Sequence, residues 1–389
     1  MASTPFVMDA AQYVIEPPDL WTSRVPAKLK DQAPKVVDMP DGGQGWSFND
    51  GAWLRPLGLE VAAGHSPVDI KDHGYSYADI RQGMYDGKAR LEDLRVDEID
   101  AANIFPTYAL DVRSIMDPEL HIACVRAYND ALSEWTKAGD AKRLLPQAIL
   151  PAVGLDAALD ELKRVAKMGF NGIVFNGWPA GGDRPQDAED AVWDLCAEAG
   201  IVINLLRGGP TIPDRTAVAP SRYVGKDATG VRAVDAPIEL AWATTASIRN
   251  QNMAWFVLVG ICERWENLKI SMIDAGAGWI TTTGELLDWN YRYAQFYGMN
   301  YRLKYVPSDY VKRNFHATIK GERFVVVARE DFGENTLMWS SNYPTSSSSF
   351  PTSRQAITEQ MDGVPDDDQG RLVGLNCAEW YGVATPVVA

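Results

Sequence analysis

The sequence predicts a (β/α)8 barrel, in which eight parallel strands alternate with helices around one closed sheet. Short apolar segments alternate with amphipathic segments along most of the 389 residues, a pattern typical of parallel strands joined by crossover helices. About eight such repeats over this length favour a closed barrel over an open sheet. No GxGxxG follows the first strand and no GxxxxGK[ST] occurs, which argues against a nucleotide-binding sheet.

The order of the elements follows from apolar periodicity and from turn residues. The first strand ends at Pro17 and Pro18 because proline lacks the N–H that a strand ladder needs. The predicted strands are 6–15, 101–106, 144–150, 170–177, 201–207, 270–274, 314–319 and 336–341. The predicted helices are 77–91, 118–138, 155–168, 187–199, 237–267, 283–296, 354–361 and 370–381. Together they predict a single domain over residues 1–389.

Two segments stand outside this alternation. Residues 22–75 have little periodicity and many Gly, Pro and Asp residues. Long segments of this kind in a compact domain are usually functional or disordered, and Trp46 and Trp53 favour a packed lid over the barrel mouth. Residues 346–389 are predicted to close the chain after the last strand.

Composition excludes some partners. The net charge is −15, and an acidic surface repels nucleic acid and anionic lipid. Four widely spaced cysteines without a CxxC pair, and no signal peptide at residues 1–8, predict a cytoplasmic protein with reduced thiols. No apolar run is long enough to span a membrane. The apolar run 253–262 fits a core helix or the face of a homodimer, and both interpretations stay open.

In such barrels the chemistry lies at the carboxyl ends of the strands. Polar candidates at the predicted ends are Tyr13, Asn176, Arg207, Asp274, His316 and Asn342. The aromatic content, with 13 Trp and 15 Tyr, is explained by core packing or by an aromatic-walled pocket. Trp339 in the last strand is a candidate for such a pocket, and His73 in the insertion is a further substrate-binding candidate.

Several motifs resemble one known family. Residues 337–345 read LMWSSNYPT, residues 9–21 read DAAQYVIEPPDLW, and residues 274–279 read DAGAGW. Together with RAYN at 126–129 and NCAEWYG at 376–382, they resemble, in the right order, the amidohydrolase-related family that includes aminocarboxymuconate-semialdehyde decarboxylase. The resemblance implies a TIM barrel and a metal-dependent decarboxylase, hydratase or hydrolase acting mostly on small aromatic or unsaturated acids.

The departures from this family fall on its metal ligands. The resemblance places Ala11 and Tyr13 at the two first-strand ligands, Leu206 at the histidine of the fifth strand and Asn342 at the aspartate of the last strand. A divalent ion needs several anionic or imidazole donors to offset its dehydration. We therefore expect no metal site and no cofactor, and only four histidines are present to form a relocated site.

The remaining polar groups predict acid/base chemistry on a small-molecule substrate. Asp274 is the main candidate base, at a position where relatives place an acid/base, and an aspartate that caps the following turn is the alternative. Tyr13 is a candidate proton donor or carbonyl-orienting group and Asn342 a candidate oxyanion donor, and inert filling of the vacated volume is the alternative for both. His316 is a candidate acid/base, and a buried core histidine is the alternative. Arg207 is a candidate for holding a substrate carboxylate or an enolate, and a salt-bridge partner on the barrel wall is the alternative. Asn176 is a further substrate-binding candidate.

Three functions therefore stay open. A lyase would pass through an enol, dienol or carbocation-like state in decarboxylation, elimination, C–C cleavage or cyclisation. A hydrolase would use water activated by Asp274. A catalytically silent relative would bind a ligand without turnover. Polar replacements at Tyr13 and Asn342 favour an enzyme, because an idle pocket would more often fill with apolar residues.

Overall fold

A computed structural model describes residues 5–175, 177–206, 251–294, 303–333 and 335–385. Eight parallel strands form one sheet in which they follow one another in chain order, and the last strand returns to the first. The barrel strands are β1 (Met8–Tyr13), β5 (Ala101–Phe105), β6 (Leu144–Ile149), β7 (Gly172–Val174), β8 (Val202–Leu205), β9 (Ile270–Met272), β10 (Phe315–Ile319) and β11 (Leu337–Trp339). The predicted (β/α)8 TIM barrel is confirmed.

Helices pack around this barrel. Those described are Leu20–Arg24, Gly87–Val96, Pro118–Ala138, Leu155–Met168, Asp190–Ala199, 251–258, Ile261–Arg264, Trp279–Ala294, Pro307–Asn314, Arg323–Val327, Arg329–Phe332, Ser353–Gln360, Asp366–Gly370 and Asn376–Tyr381. The helix predicted at 77–91 is wrong in its bounds. The Asp86 carboxylate accepts a hydrogen bond from the Ala89 N–H (2.8 Å), and this cap starts the helix at Gly87.

The insertion forms a small sheet of its own. Strands β2 (Lys35–Asp38), β3 (Gln44–Phe48) and β4 (Trp53–Pro56) pair antiparallel. The sheet buries Trp46 against Trp21, with ring centroids 4.6 Å apart. Backbone bonds from Ala63 to Pro344 (2.9 Å) and from Ser346 to Leu59 (2.7 Å) tie the insertion to the loop that follows β11. The insertion thus lies beside the carboxyl ends of the strands, and its function as a lid stays a prediction.

The apolar run at 253–262 belongs to the core. Phe256 is fully buried, and its ring lies 5.2 Å from that of Trp178 and 5.3 Å from that of Trp193. Packing within the chain therefore accounts for the apolar character of this run, and the homodimer stays a prediction. No helix in the described residues is long and apolar enough to cross a membrane.

The amino end of the barrel is closed by the helix Asn376–Tyr381. The Tyr381 hydroxyl donates to Asn204 Oδ1 (2.5 Å) and to Ser271 Oγ (3.2 Å), and the Trp380 indole N–H donates to the same Ser271 oxygen (2.9 Å). Asn204 and Ser271 are neighbours in register on β8 and β9. This polar layer seals the barrel at the end opposite the loops that would carry chemistry.

Candidate active site

A single carboxylate links three strand ends at the mouth of the barrel. Asp274 follows β9, and its Oδ1 accepts a hydrogen bond from the Asn342 amide nitrogen (2.5 Å). Its Oδ2 accepts one from the Tyr13 hydroxyl at the end of β1 (3.4 Å). Asn342 and Tyr13 are nearly fully buried, while Asp274 is partly exposed. Both contacts fix the orientation of the carboxylate between the ends of β1 and β11.

The backbone at these positions is unusual and explains the residue types. Asp274 has φ 52° and Asn342 has φ 59°, in the left-handed region that Asn and Asp tolerate better than other non-glycine residues. The Asp274 N–H donates to Thr318 Oγ1 on β10 (2.8 Å). The Tyr13 N–H donates to the carbonyl of Tyr343 (2.7 Å), which joins β1 to the loop after β11.

Buried polar groups outside the barrel wall position Tyr13. The Arg90 guanidinium is fully buried and donates to the carbonyl of Tyr13 (2.8 Å) and to Gln12 Oε1 (3.1 Å). The Asp9 carboxylate accepts from the Ser341 N–H (3.0 Å) and from the Ser341 hydroxyl. Burial raises the pKa of Asp9, and its hydrogen bonds oppose that rise. These contacts lock the first and last strands together directly behind the site.

A second buried carboxylate organises the loop after β5. Glu16 is fully buried, and its oxygens accept three backbone hydrogen bonds, from Thr107 (3.0 Å), Tyr108 (3.0 Å) and Ala109 (2.8 Å). The Tyr77 hydroxyl donates to the Glu16 carbonyl (2.6 Å). Glu16 therefore connects the end of β1 to the loop after β5 and to the insertion.

One charged group at the mouth was missed by sequence reasoning. Lys320 follows β10, and its Nζ is buried without a hydrogen-bond partner in the described part of the chain. Burial lowers the pKa of Lys320 to about 8, and attraction by Asp274 and Asp9 opposes this. The sequence signal for a role at the mouth was the position of Lys320, one residue beyond a strand. Lys320 was overlooked because an isolated lysine in a sequence is usually solvated.

The donor set at the mouth does not fit a divalent metal. Ala11 and the buried Leu206 occupy two of the family's ligand positions. Asp274 is the one carboxylate that contacts Tyr13 and Asn342 among the described residues, and Lys320 adds a positive charge. Within those residues no group of three His, Cys, Asp or Glu side chains could hold a metal ion. A divalent cation in proteins needs more anionic or imidazole donors than this.

The structure separates the other predicted residues from this cluster. His316 is the second residue of β10, level with Ser271, about 13 Å along the strand from Lys320 at about 3.3 Å per residue. Its ring stacks on Trp380 at 3.5 Å. The expected place of His316 at the mouth is therefore wrong, because it lies three residues before Ile319, the strand end that the sequence also predicts. Its burial against Trp380 fits the alternative interpretation as a core histidine. Burial lowers the pKa of His316 to about 3, and the positive charge of Lys269 adds to the effect.

Of the four other candidates, Trp339 is turned away from the mouth, His73 stays a prediction, and two lie outside the described residues. Trp339 is 2% exposed and packs in the helix-facing core, while its neighbour Met338 packs inside the barrel with Met8 and Cys377; alternation along a strand turns Trp339 away from the mouth. His73 is exposed and contacts Asp72 (2.5 Å). Arg207 and Asn176 are not among the residues that the structure describes.

Comparisons with known proteins agree with this fold and identify the family. A family model described as Amidohydrolase matches residues 85–383. The chain therefore belongs to the amidohydrolase family, as its motifs predict. No curated protein matches the chain.

Several solved structures share the fold. An amidohydrolase from Mycobacterium avium subsp. paratuberculosis K-10 superposes with a TM-score of 0.73 at 18% identity over 100% of both chains. A 2,6-dihydroxybenzoate decarboxylase from Rhizobium gives 0.59 at 17% identity, over 97% of this chain and 99% of that one. A 5-carboxyvanillate decarboxylase from Novosphingobium aromaticivorans, with bound manganese, gives 0.64 at 15% identity over 98% and 97%.

Proposed function

We propose that this protein is a lyase-type enzyme that acts on a small aromatic, polyketide-like or unsaturated acid by acid/base catalysis, without a divalent metal. The observation that carries the proposal is the Asp274 carboxylate, held between the Tyr13 hydroxyl and the Asn342 amide at the mouth of the barrel. A carboxylate fixed at the carboxyl end of barrel strands and partly open to solvent is placed to exchange a proton with a bound substrate.

The reaction we favour is decarboxylation. The bond between the substrate carbon and its carboxylate breaks, CO2 leaves, and the electron pair stays on the carbon, which takes a proton. That proton reaches the carbon through the Asp274 carboxyl group, which takes it from solvent and passes it to the carbon. The hydrogen bonds from Tyr13 and Asn342 orient the carboxyl group and stabilise its anion after the transfer. Elimination, C–C cleavage and cyclisation need the same proton transfers.

Two findings support this proposal. The chain belongs to the amidohydrolase family, and solved structures with the same fold include decarboxylases of 2,6-dihydroxybenzoate and 5-carboxyvanillate. The 5-carboxyvanillate decarboxylase structure contains manganese, and in this respect we expect the present protein to differ, since the donor set at Tyr13, Asp274 and Asn342 does not fit such an ion. Metal independence is therefore part of the proposal.

Hydrolysis is the second candidate. The description of the family as amidohydrolases favours it, and Asp274 is accessible enough to activate a water molecule. The two functions differ in their products, because a lyase releases CO2 or an alkene, whereas a hydrolase adds water across an amide or ester bond.

The test is a substrate screen on chelated protein. Hydroxybenzoates, unsaturated acids and matched amides and esters are incubated with protein treated exhaustively with chelator, and CO2 and products are quantified. We expect CO2 release that chelation does not change. Asp274→Asn should lower turnover about 10²–10⁴-fold, as expected for loss of a general acid/base, and Tyr13→Phe should lower it less.

The control is Asp156→Asn, which changes an exposed aspartate in the first turn of the helix Leu155–Met168 and should leave turnover unchanged. Loss of activity on chelation, with recovery on adding manganese, would refute metal independence. Full turnover by Asp274→Asn would refute Asp274 as the acid/base. Absence of all turnover would favour a catalytically silent relative.

A further inference from the structure

Lys320 is placed to face the interior of the barrel at the level of the site. It follows β10, two residues beyond Thr318, whose hydroxyl accepts from Asp274 N–H, and four beyond His316, which stacks on Trp380 at the amino end. Alternation along a strand therefore puts Lys320 on the same inward face. Ile319 pairs with Trp339 in the parallel register of β10 and β11, so the next residues, Lys320 and Ser340, lie side by side.

Three buried polar atoms at this place lack partners in the part of the chain that the structure describes. They are Nζ of Lys320, Oγ of Ser340 and Oδ1 of Asn342. Buried polar groups in native proteins are nearly always hydrogen-bonded, and a buried charge without a partner is costly. Their adjacency on the ends of β10 and β11 indicates a site whose partner is a ligand.

The chemistry of the three atoms defines that ligand. An ammonium and a hydroxyl donate hydrogen bonds to an anionic oxygen, with the ammonium adding charge. An amide oxygen accepts one from a hydroxyl or amine. The complementary molecule carries an anionic oxygen next to a hydrogen-bond donor, as in a 2-hydroxy aromatic acid or the enol of a β-keto acid.

We propose that Lys320, with Ser340, binds the anionic oxygen of the substrate and supplies the positive charge that a divalent metal supplies in other members of the family, while Asn342 Oδ1 accepts the neighbouring hydroxyl. This assignment rests on the proposed function of the same site. Asp274 and Lys320 follow neighbouring strands. A substrate whose anionic oxygen contacts the Lys320 ammonium therefore has its reacting carbon on the side of the Asp274 carboxylate. The low pKa of Lys320 agrees with an ammonium that is desolvated before the substrate arrives.

The test measures binding separately from turnover. The Kd of 2-hydroxybenzoate is determined by titration calorimetry for the wild type and for Lys320→Met, Ser340→Ala and Lys269→Met. Lys269 is a matched control, because its partly buried ammonium donates to the Trp380 carbonyl at the opposite end of the barrel. We expect Lys320→Met to raise Kd at least 30-fold, or about 2 kcal/mol, Ser340→Ala to raise it several-fold, and Lys269→Met to leave it within twofold.

A neutral probe shows whether binding depends on the charge of the ligand or on its shape. The amide of the same acid, 2-hydroxybenzamide, should bind the wild type and Lys320→Met with similar Kd, because it has no charge for the ammonium to pair. Equal binding of 2-hydroxybenzoate by the wild type and Lys320→Met overturns the proposal, and so does failure of the wild type to bind it at 10 mM, roughly the weakest affinity that such a titration resolves.

Two further measurements distinguish a binding role of Lys320 from a structural role and from the role of Asp274. The melting temperature of Lys320→Met should equal or exceed that of the wild type, since methionine removes a buried ammonium that has no hydrogen-bond partner among the described residues. A clear fall, with binding retained, would make Lys320 a structural residue. Asp274→Asn should keep the wild-type Kd within about threefold while losing turnover. If Asp274→Asn keeps turnover, the acid/base assignment fails while the anion site stands. If Lys320→Met keeps Kd, the anion site fails while the acid/base assignment stands.

Discussion

Glu16 accepts three backbone hydrogen bonds at the mouth of the barrel. We therefore predict that replacing one of its carboxylate oxygens by an NH2 group destabilises the whole mouth. In Glu16→Gln, an NH2 group replaces the oxygen that accepts from Tyr108 or the one that accepts from Thr107 and Ala109. At least one buried backbone N–H then faces another donor. A buried unsatisfied group costs about 1–3 kcal/mol, and the new NH2 adds a second. We expect a loss of about 2–6 kcal/mol in the free energy of unfolding.

The measurement is urea unfolding followed by tryptophan fluorescence. A shifted midpoint with an unchanged slope assigns the change to stability rather than to the denatured state. The control is Glu134→Gln, because Glu134 is an exposed carboxylate paired with Arg24 (2.7 Å), and such pairs contribute little. A Glu16→Gln variant within about 0.5 kcal/mol of the wild type would refute the reasoning, since surface-like changes stay in that range.

Two further predictions concern the interior. His316 has a pKa of about 3 in the folded chain against 6.5 in the unfolded chain, so the folded chain binds fewer protons and stability is lost as pH falls from about 6.5 toward 3. Between pH 6.5 and 5 this amounts to about 2 kcal/mol; His316→Phe should lose correspondingly less in urea titrations over that range, and parallel profiles would contradict the assignment. At Asn342, with φ 59°, Asn342→Gly should be more stable than Asn342→Ala by about 1 kcal/mol, the reverse of the usual order, and both should lose turnover alike. A more stable alanine variant would rule out the left-handed backbone.

The sequence predicts the barrel because its signals are local. The helices Pro118–Ala138 and Leu155–Met168 have the predicted bounds, since Pro118 and Gly169 mark their ends. The cluster of Tyr13, Asp274 and Asn342 also follows from the sequence, because all three come at strand ends within motifs that resemble the family.

The remaining errors arise where a single position decides the outcome. His316 and Lys320 are four residues apart on one face of the same segment. The predicted end of this strand at residue 319 is right, and the error lies in placing His316, the third predicted residue of the strand, at that end. Trp339 and Met338 are adjacent and point to opposite faces of the sheet. The sequence does not determine which of these two faces lines the interior of the barrel. The sheet of the insertion has short strands of mixed polarity, such as Lys35–Asp38, and these give little periodic signal.

The two closures of the barrel join distant parts of the chain, and this affects how the protein is made. The Ser341 N–H donates to an Asp9 carboxylate 332 residues earlier, and Tyr381 reaches back 177 residues to Asn204. During synthesis, β1 therefore has no last-strand partner, and the polar layer at β8 and β9 has no cover, until residues 337–381 have left the ribosome. For most of its translation the nascent chain exposes an open parallel sheet with an unpaired edge, the state in which chaperones protect a chain from aggregation.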